Sequence, residues 1–398
     1  MRISTANGFN TAIDSLMERQ GSLGETQMQM TTGKRVNRAS DDPAAAARSE
    51  RAQASQARTV ATQRAVDASD TAMTLTEGAL GDADKLMQEA REALVAAGNA
   101  TYSDTERAGV ADKLSGLRQQ LLAVANRSDG AGNYLFGGQS STEAPFSDAP
   151  GGVQFQGSAG ASQSASGNAL PLSLDGSSAW MTARTGNGVF ATSATTATGS
   201  AWIDAGKVTN PALLTGSTYS VQFSISAGVT TYSVLKDGAA TAQTNLAFTP
   251  GQSIQVDGMS AAISGAPANG DAFGLTPATS TLTVFDTLDK AIAALKTPGR
   301  NGTQIQQSNA TALTNVDSVM GQLSSARSAV GATMNRIDSV TDRLSALKLS
   351  SKTEQSNAED VDMTEAISDF SNKQTGYDAA LKAYSMVQRL SLFNYLNG

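Results

Sequence analysis

The chain carries, at residues 9–30, the stretch FNTAIDSLMERQGSLGETQMQM, in which large side chains recur alternately four and three positions apart. The members of this seam are Phe9, Ile13, Leu16, Gln20, Leu23, Gln27 and Met30. Such heptad spacing predicts a helix that packs lengthwise against another helix, and polar residues inside a seam tend to fix its register. The stretch therefore predicts a helix that is incomplete without a partner helix.

A matching pattern lies at the opposite end of the chain. Its seam runs through Ile367, Phe370, Gln374, Tyr377, Leu381, Tyr384 and Gln388, and Leu390 and Phe393 extend the apolar surface beyond it. Because both seams need partners, we expect the two ends to meet as an antiparallel coiled coil. The apolar members of the two patterns are our candidate assembly residues.

Further helices are predicted between the two ends. Asp42-Pro43 opens one that should reach about Ala97, because a carboxylate caps free N–H groups and proline suits the first helical turn. Ser103 and Glu106 have the spacing of a capping box at the start of the next helix. Seven-residue or heptad patterns support two long helices, one through Val66, Met73, Leu80, Met87 and Leu94 and one through residues 313–344.

Residues 134–279 change character and predict short strands and turns. Tyr134-Leu135-Phe136 is a strand-like run followed by two glycines. The stretch Tyr219–Ser226 alternates apolar and polar side chains, which is typical of a half-buried strand. Asp-Gly pairs at 237–238 and 257–258 favour tight hairpin turns. We therefore predict a small antiparallel β module, with Trp180 and Trp202 in a core.

The predicted fold class is mainly α with a β insert. Both chain ends form a long antiparallel helical bundle or coiled coil, and a small antiparallel β domain is inserted at its tip. Four parts are predicted: an N-terminal assembly segment (1–42), a helical rod domain (43–133 and 280–361), a variable β-rich insert domain (134–279) and a C-terminal assembly helix (362–398).

The terminal segments have few apolar groups for their length. Ordering the backbone costs about 1–2 kcal/mol per residue, whereas burial of a large apolar side chain contributes only about 1.5–3 kcal/mol. Each end offers a handful of such side chains. We therefore expect both ends to be disordered or loosely folded in the isolated chain and to become ordered when several copies supply partner helices.

The composition argues against several function classes. The chain has no cysteine and no histidine, which removes thiol and imidazole catalysis and most zinc sites. Its net charge of −7, without a basic stripe, argues against a nucleic-acid partner. The chain also lacks an apolar run of the ~18–20 residues that a membrane-spanning helix needs. We expect no enzyme activity, no cofactor, no metal and no membrane insertion, and we expect export to proceed without a cleaved signal peptide.

Two charged clusters receive structural rather than catalytic interpretations. Arg38, Asp41, Asp42 and Pro43 form a loop and cap motif, in which we expect a loop salt bridge and a helix cap. The acidic run 359–362 lacks the spaced oxygen ligands and glycine of a calcium loop. We interpret it as the N-terminal cap of the last helix, because Asp362 and Glu365 repeat the capping-box spacing.

The charged loop also carries a family resemblance. GKRVNRASDDPAA, residues 33–45, resembles the signature that follows the first helix of flagellins and their relatives, and residues 362–398 are similar to the C-terminal helix of flagellin. Within that family, MRIST at 1–5, NYLFGG at 133–138 and LSLFNYL at 390–396 resemble the hook-associated branch. The resemblance covers the two helical ends and leaves the middle region unmatched.

This resemblance implies a structural junction adaptor between the hook and the filament of the bacterial flagellum. It implies export by the flagellar type III pathway to an extracellular location and assembly into a homo-oligomeric ring of about eleven copies. The implied partners are a neighbouring hook-associated protein, flagellin, and an export chaperone that binds the C-terminal helix.

Two other functions stay open from the sequence, and a third is excluded. The chain could be filament flagellin itself, which would form a polymer rather than a ring. A weaker alternative is a type III-secreted translocator or adhesin with helical ends. An enzyme, such as a flagellin with a protease insert, would need a His-Glu-x-x-His zinc motif, which a chain without histidine cannot carry.

Overall fold

The computed structural model describes residues 3–99, 101–140, 142–164, 167 and 169–396. Its helices are α1 (Ile3–Thr32), α2 (Pro43–Ala97), α3 (Asp104–Ala125), α4 (Gly176–Trp180), α5 (Val284–Lys296), α6 (Gly302–Glu359) and α7 (Met363–Leu396). Its strands are β1 (Phe146–Ala149), β2 (Gly152–Phe155), β3 (Phe190–Thr196), β4 (Trp202–Ile203), β5 (Lys207–Val208), β6 (Tyr219–Ser226), β7 (Val229–Lys236), β8 (Ala239–Ala240), β9 (Leu246–Ala247), β10 (Ser253–Val256), β11 (Met259–Ser264) and β12 (Ala272–Pro277). Helices at both ends and an antiparallel β insert confirm the predicted fold class.

The chain divides into two compact units. The first, here called the end unit, comprises residues 1–64 and 341–398, and the second, the body unit, comprises residues 65–340. The boundary falls within α2 and within α6. The four-part division drawn from the sequence stays a prediction.

Local signals end α1 and start α2. Gly33 has φ +71°, a left-handed conformation that favours glycine, and its N–H donates to the carbonyl oxygen of Gln29 at 2.9 Å. Asp42 accepts hydrogen bonds from the N–H groups of Ala44 and Ala45 at 3.1 and 2.9 Å. The predicted end at Gly33 and the predicted start at Pro43 are confirmed.

Two further caps follow the sequence pattern. Ser103 and Glu106 form a reciprocal capping box at the start of α3, as predicted. Asp362 accepts from the N–H groups of Thr364 and Glu365 at 2.9 and 3.3 Å, which caps α7. These side chains satisfy N–H groups that have no partner inside the helix.

The body unit has a fully packed helical core. The seven-residue repeat of α2 is buried to 1% exposure or less at each position, namely Val66, Met73, Leu80, Met87 and Leu94. Trp180 is fully buried and stacks on Phe285, with ring centroids 6.0 Å apart and planes 10° from parallel. The prediction for Trp180 is confirmed, whereas Trp202 is only half-buried.

The β insert consists of antiparallel sheets with two-residue turns. A six-stranded sheet has the order β3-β12-β6-β7-β8 with β9 also paired to β7, a four-stranded sheet has β10-β11-β4 with β5 also paired to β11, and β1 pairs with β2. Val256 pairs with Met259 and Lys236 pairs with Ala239, so both Asp-Gly pairs occupy hairpin turns. The predicted strand Tyr219–Ser226 is β6, with the same bounds.

The segment Tyr134–Phe136 corrects the sequence prediction. It is a turn with an isolated bridge between Tyr134 and Ser128, not a strand. Leu135 and Phe136 are both buried, and the ring of Phe136 packs edge-on against Trp180, so their apolar character reflects core packing rather than sheet pairing. Gly138 follows with φ +67°, and a Cβ there would lie 1.8 Å from the carbonyl oxygen of Ser158.

The helix α4 has no counterpart in the sequence prediction. It has five residues, and the side chain of Asp175 caps it by accepting from the N–H groups of Ser177 and Ser178. A helix this short presents no periodic pattern, so its position was not predictable from spacing.

Candidate assembly surface at the paired chain ends

In the end unit, α1 and α7 pack against each other in opposite directions. The N–H of Val361 donates to the carbonyl oxygen of Gly33 at 3.0 Å at one end of the pair. Towards the other end, the rings of Phe9 and Tyr384 lie 5.3 Å apart between centroids, tilted by 52°. The heptad seams therefore meet, as their positions at the two ends of the chain predicted.

The candidate assembly residues are brought together, but the pair does not fully bury them. Those with half-buried side chains are Ile13, Leu16, Leu23, Met30, Phe370, Tyr377 and Tyr384. Phe9, Ile367 and Leu381 stay 37%, 53% and 40% exposed. Leu390 and Phe393 belong to α7, and their side chains lie outside the described part of the structure. Two helices alone thus leave the apolar seam open along one side.

Other large apolar side chains of the end unit are also exposed. They are Met17, Met28, Val60, Leu347, Leu349, Met363 and Met386, with Leu349 and Met17 the most exposed at 68% and 66%. The four seam glutamines, Gln20, Gln27, Gln374 and Gln388, are exposed as well. Apolar surface spread over four helices, α1, α2, α6 and α7, is a feature of protein–protein interaction sites.

The loop between α1 and α2 is held by its carboxylates. Asp42 caps α2 and forms an ion pair with Arg35, with Nη1 and Oδ2 3.2 Å apart. Hydrogen bonds from the N–H of Ala45, and then from Arg35, hold the pKa of Asp42 below its usual value. Pro43 is exposed in the first turn of α2. The loop and cap motif thus orders the start of α2.

Asp41 closes the loop on itself. Its carboxylate accepts from the N–H groups of Asn37 and Arg38 at 3.1 and 2.8 Å, and the bond from Arg38 is the largest cause of its lowered pKa. Arg38 contributes this backbone donor, while its side chain is exposed. The ion pair expected at Arg38 is instead made by Arg35, three positions earlier and nearer to the helix cap.

Glu359, at the end of α6, holds the loop between α1 and α2 in place, which the sequence pattern did not indicate. Its carboxylate accepts from Ser49 and Gln355, both at 2.7 Å, and lies 3.1 Å from the ammonium group of Lys34. Its backbone oxygen accepts from the N–H of Arg35 at 2.7 Å. This one residue therefore joins the loop, α2 and α6.

The electrostatics of Glu359 follow from these contacts. The residue is 8% exposed, and burial alone would raise the pKa of its carboxyl. The hydrogen bonds from Ser49, Lys34 and Gln355 outweigh burial and lower the pKa. The cap predicted for residues 359–362 is formed by Asp362 only. The sequence feature that could have indicated this contact is the basic pair Lys34-Arg35, which lies more than 300 positions from Glu359.

Within the described ranges, no cluster of three or more acidic side chains is arranged to hold a metal ion. No described helix combines the length and apolar character needed to cross a membrane. What the α1–α7 pair presents is an apolar seam, open on one side, beside an ordered charged loop.

Comparison with known families identifies both helical ends. The bacterial flagellin N-terminal helical region matches residues 3–141, and the bacterial flagellin C-terminal helical region matches residues 313–396. Together these two matches span more than half of the chain. The fold and the paired ends thus define a structural protein of the flagellin type.

Individual relatives refine this class. Flagellar hook-associated protein 3 of Escherichia coli is 27% identical over 405 residues, which cover 99% of each chain. The protein of the same name from Salmonella typhimurium is 39% identical over 160 residues, 38% of this chain and 48% of that protein. A crystal structure of FlgL from Xanthomonas campestris superimposes with a TM-score of 0.68 at 29% identity, covering 77% of this chain and 99% of that one. The chain belongs to the flagellin family, within its hook-associated protein 3 branch.

Proposed function

We propose that the chain is a structural junction adaptor of the bacterial flagellum, joining a hook-associated ring to the flagellin filament. The observation that carries this proposal is the α1–α7 seam, whose apolar residues meet in the end unit but stay half-buried or exposed. Neighbouring subunits that add helices to this seam would bury it, as in a coiled-coil bundle. Helix packing between the ends of adjacent molecules is therefore the mechanism of assembly.

The match along the whole chain supports the junction role over the filament role. Both helical ends match flagellin, but a hook-associated protein aligns with 99% of the chain, including the β insert. In the junction role the chain would contact a neighbouring hook-associated protein on one side and flagellin on the other. From the family resemblance we infer a closed ring of about eleven copies, and cyclic symmetry lets one heterologous interface close on itself.

The proposed export route and the proposed chaperone both rest on the partly buried helices at the two chain ends. Segments that order only in the assembly can pass through a narrow type III channel without a cleaved signal peptide. Before export, a chaperone that covers the C-terminal helix would hide exposed apolar side chains such as Leu381 and Met386. This proposal includes the expectation that residues 1–42 and 362–398 are disordered or loosely folded in the isolated chain.

The test is complementation of a strain that lacks the gene. Deletion should leave hooks in place while flagellin is shed into the medium as monomers, and normal attached filaments would reject the junction role. Leu381→Glu and Tyr384→Glu should fail to restore filaments, because each adds a charge to the open seam. Asn372→Glu is the matched control, since it adds the same charge at an exposed polar position of α7.

The purified chains separate assembly from folding. The Leu381→Glu chain should keep the melting temperature of the body unit, because Leu381 lies in the end unit. Restoration of filaments by Leu381→Glu would show that this seam is not the assembly surface. A large fall in the melting temperature would show that the seam belongs to the internal core.

A further inference from the structure

A small cavity in the body unit lies where four helix ends converge. The end of α2 and the start of α3 form one side, and the end of α5 and the start of α6 form the other. The lining includes Arg107, Arg300, Ser308 and Asn309. Its volume of ≈ 10 Å³ suits a single guest about the size of one water molecule.

Arg107 points to what this guest is. Its side chain is only 9% exposed, yet its Nε and Nη1 groups are buried without a hydrogen-bond acceptor among the described residues. Leaving a buried charged donor unpaired is strongly unfavourable. The guanidinium group of Arg107 therefore needs an acceptor that the protein itself does not supply.

Arg300 adds a second positive charge to the same cavity. Its guanidinium donates to the carbonyl oxygens of Ala294 and Gln304 at 3.1 and 2.6 Å and to the hydroxyl of Ser308 at 2.9 Å, all of them neutral acceptors. Burial, and then the nearby charge of Arg107, lower the pKa of Arg300. Guanidinium groups stay protonated at neutral pH, so two cations face one cavity.

Among the described residues, the lining of the cavity holds one carboxylate, that of Asp104, against these two positive charges. In the described part of the chain, neither Arg107 nor Arg300 forms an ion pair with a carboxylate. Asp104 lines the cavity, but its Oδ2 atom accepts from the N–H of Gly299 at 3.0 Å. The cavity also lies at the N-terminal ends of α3 and α6, where the helix dipole favours a negative charge.

We propose that this cavity binds one small inorganic anion of chloride size, held by Nε and Nη1 of Arg107 and balanced by Arg300. The anion supplies the missing acceptor and neutralises charge that a water molecule would leave uncompensated. Asn309 fits the same guest, because its Oδ1 is buried without a partner. Rotating its carboxamide by half a turn replaces that oxygen with an N–H donor. The bound ion then ties the α2–α3 connection to the α5–α6 connection.

Thermal unfolding of the full chain tests the site with halide as the probe. At equal ionic strength, sodium chloride or sodium bromide should raise the melting temperature of the body unit by about 2–4 °C over sodium gluconate, whose anion is too large for the cavity. Arg107→Met should abolish this difference. Arg91→Met is the matched control, because Arg91 is exposed and pairs with Asp317 outside the cavity; it should keep the difference.

Crystals grown in sodium bromide give a second readout that does not depend on a variant folding. An anomalous bromide peak beside Arg107 and Arg300, together with the halide-specific stabilisation, supports the proposal. Equal melting temperatures in the three salts, with no peak, would mean that the cavity holds only water and would overturn it. A peak without stabilisation would mean an adventitious ion only and would overturn it as well.

Discussion

The two units of this molecule use the same kinds of apolar residue in helical seams, but they bury them to very different extents. In the body unit, Leu80 and Met87 of α2 are fully buried. In the end unit, Ile367 and Leu381 of α7 are 53% and 40% exposed. Because both patterns follow the heptad rule, spacing identifies which face of a helix needs a partner. The number of partner elements decides whether that face is buried.

The packing around α2 explains the contrast. Within the body unit, α2 contacts α6 through the Glu77–Arg327 ion pair, the segment after α3 through Asp82–Arg127, and the loop at Pro171 through a hydrogen bond from Ser69. In the end unit, by contrast, α1 and α7 cover each other's apolar residues on one side only. The body unit therefore has a closed core of its own, whereas the end unit leaves apolar surface uncovered, as the proposed assembly requires.

The largest expected effect comes from opening the closed core of the body unit. Leu80→Ala should lower the free energy of unfolding of the body unit by about 2–5 kcal/mol, because it opens a cavity in a closed core. Denaturant unfolding followed by the fluorescence of Trp180 and Trp202 measures it. Leu75→Ala, on the exposed side of the same helix, is the control and should cost far less. A change within about 0.5 kcal/mol for Leu80→Ala would remove the contrast between the units.

A smaller effect is expected at the anchor of the end unit. Glu359→Gln should destabilise the loop between α1 and α2 by about 1–3 kcal/mol, because the buried hydroxyl of Ser49 and the partly exposed ammonium group of Lys34 lose their charged acceptor. Hydrogen exchange at the amides of Arg35 and Val36, which donate to the backbone oxygen of Glu359, measures the change.

Glu354→Gln provides the control, since it removes a charge from an exposed position of the same helix. It should leave these amides unaffected. Equal exchange in the wild type and in Glu359→Gln would show that the loop is ordered without this anchor.

The smallest expected effect is the loss of stability that Asp42 and Glu359 contribute when the pH is lowered. The pKa values of Asp42 and Glu359 are lowered in the folded chain. Their contributions are therefore present above the ordinary carboxyl pKa of about 4 and are lost as the pH falls through the lower folded values. NMR shifts of the Ala44 and Ala45 amides, recorded on lowering the pH, should show a midpoint below about 4.

Asp42→Asn separates the cap from its charge. Asparagine keeps an oxygen that can cap α2 but cannot titrate, so the low-pH transition of these amides should disappear. A wild-type midpoint at or above the ordinary carboxyl value would contradict the stabilising role of the charge.

Features with local causes were predictable from the sequence. Pro43 and Ala97 bound α2, and Asp257-Gly258 forms a hairpin turn, because a cap, a repeat and a turn each depend on residues close together in the chain. The seams at both ends also predicted that α1 and α7 meet, since neither could be buried alone.

Features that depend on distant contacts were not predictable. Tyr134–Phe136 has the composition of a strand, but the aromatic core around Trp180 determines its structure. The role of Glu359 depends on partners at Lys34 and Ser49, and no local pattern indicates that pairing. Spacing located the candidate assembly residues, but the degree of burial required the tertiary structure.

The Glu359 anchor also sets an order of events during synthesis. Ser49 and Glu359 are 310 positions apart, so at about 5–20 residues per second the ribosome makes the second about 15–60 s after the first. Until then the loop after α1 lacks its main acceptor and cannot reach its final structure. A residue made 310 positions after Ser49 thus completes the loop that follows α1, and this part of the end unit cannot take its final structure before Glu359 has been translated.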